Sequence, residues 1–161
     1  MAGHIIHVHT TIPAPPEHVW DVITDVAHAD KVLRSVSDTE VLTEGAYGVG
    51  TAWREKRTLF GHHGPEQLQV VEAEAPVRTV VEAEVGDDVI RTAYRLTPAG
   101  PDRHSTRLAM TTTVEMSHRS AMSRAMWAVF GGFSYDHSRK VLEHDLEDIE
   151  AEACRRATAA G

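Results

Sequence analysis

The chain has 161 residues, 42% hydrophobic and 25% charged, an ordinary globular composition at a length that suits one domain. A chain of this size buries roughly 68–70% of its unfolded surface, so a core can form without disulfides or structural metal. Its 24 acidic and 16 basic residues leave a net charge of −8. A field of that sign repels phosphate backbones and anionic headgroups, which argues against nucleic-acid and membrane partners.

The single cysteine, Cys154, allows neither an intramolecular disulfide nor a cysteine-based zinc site, and fits a reducing cytoplasm. The opening residues carry no basic leader and no long apolar run, so neither a secretion signal nor a membrane span is expected. No repeat, low-complexity tract or linker interrupts residues 1–158, expected as one domain, with 159–161 as a short tail.

In chain order, Ile6, Val8, Thr10 and Ile12 alternate with His7, His9 and Thr11, the period of a strand with one buried face. Pro13 and the Pro15-Pro16 pair end it. Proline is tolerated in the first helical turn, and Val19, Trp20, Val22, Ile23 and Val26 follow at helical spacing. A second short helix is expected over 27–33 and a strand over 36–43. Five further strands follow at 50–60, 66–74, 79–85, 89–96 and 106–116, separated by short turn signals, as in an antiparallel meander.

The period then changes. Met122, Met126, Val129, Phe130 and Phe133, then Leu142, Leu146, Ile149 and Ala153, recur at helical spacing. This predicts one long C-terminal helix, bent or interrupted at Gly131-Gly132. Glu143, Glu147, Asp148, Glu150 and Glu152 read as a solvated acidic stripe on its outer face. A curved sheet gripping one helix is an α+β arrangement.

Several segments carry a resemblance: the opening Ile12-Pro13-Ala14-Pro15-Pro16-Glu17-His18-Val19-Trp20-Asp21, and Gly48-Val49-Gly50-Thr51 leading into Trp53-Arg54-Glu55-Lys56-Arg57. The Ala75-Pro76-Val77-Arg78 turn, Ser105-Thr106-Arg107-Leu108 and the closing Asp145-Leu146-Glu147-Asp148-Ile149 add to it. With these the chain resembles the SRPBCC superfamily of START domains, birch-pollen-type allergens and polyketide cyclase/dehydrase proteins. The resemblance implies a helix-grip fold, with about seven strands wrapped around the C-terminal helix and two short helices after strand 1. It also implies a cavity between sheet and helix that binds a small hydrophobic or aromatic molecule. The alternative it implies is a polyketide cyclase/dehydratase-type enzyme, catalysing aldol closure or loss of water there.

Period two assigns the faces. On the strand at 50–60, Thr51, Trp53, Glu55, Arg57 and Leu59 form the inward row, because Arg54 and Lys56 gain more from solvent. Glu55 and Arg57 either hold a ligand carbonyl or hydroxyl or neutralise each other in a polar patch. Leu68 with Val70, and Val81 with Ala83 and Val85, read as plain wall. Thr92 and Tyr94 reach inward, Tyr94 as a ligand contact or as a core tyrosine bonded to backbone. Leu108, Met110 and Thr112 on the last strand and Met126, Phe130 and Phe133 on the helix complete an adaptable apolar wall.

In the enzymatic alternative, Glu55 or His137 moves protons while Arg57 and Tyr94 hold carbonyl oxygens. Of the eleven histidines, only His137, in line with Phe130, Phe133 and Val141, is placed near the cavity. The others fall on outer faces, loops or ends. No metal set, cofactor fingerprint, phosphate loop or nucleophile elbow stands in the sequence. The expected partner is therefore a small hydrophobic or aromatic ligand, without cofactor, bound by a monomer or homodimer.

Overall fold

Alternating and helical periods translate into an open sheet closed by helices. The computed structural model describes residues 3–57, 65–85, 88–115 and 121–160, with side chains for all of these except 3–4, 85 and 121–134. Strand β1 spans Gly3–Ile12, helix α1 Pro16–Thr24, a 3-10 turn Val26–His28, α2 Ala29–Val32 and β2 Asp38–Val41. Then come β3 Ala52–Lys56, β4 Pro65–Glu74, β5 Arg78–Val85, β6 Asp88–Ala99, β7 Ser105–Glu115 and α3 Ala121–Ala160. Pro16 sits in the first turn of α1, where a missing N–H costs nothing.

The strands pair antiparallel in the order β1-β7-β6-β5-β4-β3-β2. Helices α1 and α2 carry the chain from one sheet edge to the other, and α3 packs against α1 and β1. Between them lies the main core: Ile6, Val8 and Ile12 of β1, Leu108, Met110 and Val114 of β7, and Leu142, Leu146, Ile149 and Ala153 of α3. Burying each of the larger side chains contributes ~1.5–3 kcal/mol. The segment after α2 is tied to α3: the Arg34 backbone N–H donates to Asp148 at 2.9 Å, and its guanidinium donates to the same carboxylate at 2.7 Å.

A bulge on β4 decides which charges enter the interior. The register shifts between Val70 and Glu72, so Ala73 packs inside while Glu72 and Glu74 are exposed. Strict alternation from Val70 would have turned both glutamates inward.

Several boundaries differ from expectation. The second short helix is split into the 3-10 turn and the single turn of α2. Strand β2 is shorter than 36–43, while β6 runs through Pro98 to Ala99. Proline fits there because β5 pairs β6 only as far as Arg95, leaving no neighbour on that side to need its N–H. Helix α3 is unbroken through Gly131-Gly132 and continues to Ala160, into the segment expected as tail. Each glycine costs roughly 1 kcal/mol against alanine, which the cooperative hydrogen-bond ladder on either side absorbs.

The acidic stripe on α3 is not free. Asp148 is held by Arg34, and Glu152 by Arg155 and Arg156. Among the described residues no helix is long and apolar enough to cross a membrane.

Candidate functional site

The inward rows of five strands form one wall of a cavity. Trp53, Glu55 and Arg57 come from β3 and its end, Glu66 and Leu68 from β4, Ala83 from β5, Thr92 and Tyr94 from β6, and Met110 from β7. Val22, Ile23, Val26 and Val32 face them from the short helices and the turn, and Leu142 and Ile149 from α3. The cavity volume is about 80 Å³, several times the roughly 10–15 Å³ that one water needs.

The walls are mostly apolar, with Asp25 on the short-helix side and a charged group on the β3–β4 side. There Arg57, whose side chain is 9% exposed, lies between two buried carboxylates. Its terminal Nη1 donates to Asp145 Oδ2 at 2.9 Å. Its Nε stands 2.7 Å from Glu55 Oε1, but the N–H points too far from that oxygen for a hydrogen bond. Glu55 Oε2 accepts from the Trp53 indole N–H at 3.1 Å, and Asp145 Oδ1 accepts from the Ser35 hydroxyl at 2.5 Å.

Glu66 completes the group. It stands directly opposite Glu55 in the β3–β4 register, where like charges oppose each other. It is 6% exposed, and its Oε1 is buried without a hydrogen-bond partner among the described residues.

The electrostatics follow from burial and from Arg57. Burial disfavours the Arg57 charge, but Glu55 and Asp145 outweigh it and hold its pKa above the ordinary arginine value. Burial raises the Asp145 pKa, with Arg57 and the Ser35 hydroxyl opposing. Burial pushes Glu66 up to about 7, Arg57 opposing and Glu55 adding to the rise. Glu66 therefore changes protonation near neutrality. Burial also raises the Tyr94 phenol, which stays neutral at ordinary pH.

The structure brings Trp53, Glu55, Arg57, Thr92, Tyr94 and Met110 to one cavity. The Thr92 hydroxyl is 3.0 Å from that of Thr112, which is fully buried behind the wall. Leu108 is also fully buried, in the main core and not on the cavity. Met126, Phe130 and Phe133 lie outside the residues whose side chains are described.

His137 is exposed, a correction to its placement near the cavity. The buried stripe of α3 runs Ser138, Leu142, Asp145, Ile149, and one residue of helix turns His137 about 100° away from it.

Glu66 and Asp145 were not read from the sequence as site residues. Both obey the pattern of the apolar face: Glu66 precedes Leu68 and Val70 at period two, and Asp145 falls between Leu142 and Ile149 at helical spacing. The row containing Leu68 is thus not plain wall.

A family model described as polyketide cyclase/dehydrase and lipid transport matches residues 4–156. No curated protein sequence matches the chain. Among solved structures, TTHA0849 from Thermus thermophilus aligns with TM-score 0.77 at 19% identity, over 96% of this chain and 99% of that one. The Zhui aromatase/cyclase from Streptomyces sp. R1128 aligns with TM-score 0.70 at 21% identity, over 99% of each chain. Norcoclaurine synthase from Thalictrum flavum aligns with TM-score 0.69 at 13% identity, over 93% of this chain and 86% of that one. The fold these likenesses establish is the helix-grip arrangement.

Proposed function

Because the chain belongs to the polyketide cyclase/dehydrase and lipid transport family, we propose that it binds a small hydrophobic or aromatic molecule between the sheet and α3. One observation carries this reading: an apolar cavity ends on buried polar groups that are left partly unpaired. An unsatisfied buried donor or acceptor costs ~1–3 kcal/mol, a cost that a ligand's polar end would relieve. The single cysteine supports a cytoplasmic setting.

Native mass spectrometry of freshly purified protein tests for a carried ligand. Titration with an apolar library should quench Trp53 fluorescence saturably, and a Trp53→Phe control identifies the reporter. No saturation with any compound would refute the reading.

Glu66 favours a second reading, aldol cyclisation or dehydration in the same cavity. Glu55 is occupied by Trp53 and Arg57, whereas Glu66 is unpartnered with a pKa of about 7. A group poised there transfers protons efficiently at neutral pH. In this reading Glu66 takes over the proton transfer, while Arg57 and Tyr94 hold carbonyl oxygens. Full turnover of a poly-β-carbonyl substrate by Glu66→Gln would eliminate it.

A further inference from the structure

Among the described residues, carboxylates outnumber cations at the polar end of the cavity. Glu55 and Glu66 face each other across β3 and β4, and Asp145 reaches Arg57 from α3. Among the described residues that line the cavity, Arg57 is the sole cation. It is already divided between Glu55 and Asp145. Asp25, at another edge of the cavity, is taken by His28 and Arg156. Glu66 Oε1 is left buried, with no donor.

A carboxylate ligand would bring a further negative charge into a space where charges are poorly screened. A neutral hydroxyl would supply a donor but no charge. An ammonium supplies both. We propose that the cavity takes a lipophilic primary amine in its protonated form, the ammonium docked on Glu66 and the apolar body against Leu68, Ala83 and Ile90.

This rests on the reading of the cavity as a ligand site. It has a linkage consequence: where Glu66 is protonated, the arriving cation displaces its proton to the buffer. Of the groups facing it, Arg57 stays charged and Tyr94 stays neutral, Glu55 and Asp145 pair with Arg57, and burial raises the Asp145 pKa, so the comparison with Glu66→Gln isolates the proton that Glu66 itself releases.

The test is calorimetric titration with 2-phenylethylamine, 2-phenylethanol and phenylacetate at pH 6 and pH 8, in buffers of different ionisation enthalpy. At pH 8 the amine should bind at least tenfold tighter than the alcohol, with phenylacetate weakest. Amine affinity should fall about tenfold from pH 8 to pH 6, as expected for a required carboxylate of pKa about 7. At pH 6 only the amine should release close to one proton. Glu66→Gln should lose the amine preference and the proton release.

Phenylacetate binding as tightly as the amine, or the preference surviving in Glu66→Gln, would overturn the proposal. Equal binding of all three probes would leave the cavity reading standing and remove this one. Binding of none would remove this proposal, while the apolar library decides the cavity reading.

Discussion

Replacing Arg57 with methionine keeps much of the side chain's volume and removes the charge on which two buried carboxylates depend. Glu55 is 5% exposed and Asp145 is 2% exposed, so neither recovers solvation from water. Removing one partner of a buried ion pair costs ~3–5 kcal/mol. Here one cation serves two anions, which puts the loss at the upper end, about 5 kcal/mol, against a total stability of about 5–15 kcal/mol for a typical domain. At roughly 2–4 °C per kcal/mol for a chain of this size, the variant should melt about 10–20 °C below the parent at pH 7.5.

The loss must also depend on pH. Without Arg57, burial acts unopposed and raises the carboxyl pKa values in the folded state above those of the unfolded chain. The folded variant then holds protons that the unfolded chain has released, so its stability falls as pH rises and recovers as pH falls. Thermal unfolding followed by circular dichroism at pH 5 and pH 7.5 measures both effects. A drop under ~3 °C at pH 7.5, or a larger deficit at pH 5, would refute the reasoning.

Glu66 makes a related prediction in the parent protein. Its folded pKa of about 7 lies above the ordinary 4.5, so its contribution is fully present below pH 4.5 and lost as pH rises through 7. At ~1.4 kcal/mol per pH unit this amounts to about 3 kcal/mol. Urea unfolding should find Glu66→Gln more stable than the parent at pH 8 and indifferent at pH 4.5; the reverse order would contradict the assignment. Ala83, 4% exposed on the cavity wall, tests the volume. Ala83→Leu should weaken 2-phenylethanol binding at least tenfold at a stability cost of no more than ~1–3 kcal/mol, and unchanged affinity would place the ligand elsewhere. The Thr106 hydroxyl donates to the Ala14 carbonyl at 2.7 Å with both residues fully buried. Thr106→Val should therefore cost ~1–3 kcal/mol in urea unfolding, and a change within ~0.5 kcal/mol would show that the carbonyl finds another donor.

Local periodicity carried much of the architecture. Alternation on 50–60 put Trp53, Glu55 and Arg57 on the inner face, where the structure has them. The same rule misplaced nothing on β6, where Thr92 and Tyr94 line the cavity. Boundaries were less legible, because strand ends depend on what the neighbouring strand can pair: β6 outruns β5 and admits Pro98 only for that reason.

Charged residues were the weak point. Glu66 and Asp145 sit at inward positions of their own elements, yet a carboxylate alone is better solvated outside, and composition offers no reason to bury it. For Asp145 the reason is Arg57, and it is not local: the two are 88 positions apart. His137 failed on the opposite ground, since an error of one residue in helix phase moves a side chain from the interior to solvent.

The sequence by itself therefore determined the order of strands and helices, the acidic balance and the inward faces of β3 and β6, because these depend on propensity and period along the chain. Only the tertiary structure decided that two carboxylates share a single guanidinium, with a third carboxyl left unpaired beside them, at one side of a small cavity. That arrangement depends on the register of β3 against β4 and on which turn of α3 reaches Arg57, and neither is encoded in any one segment.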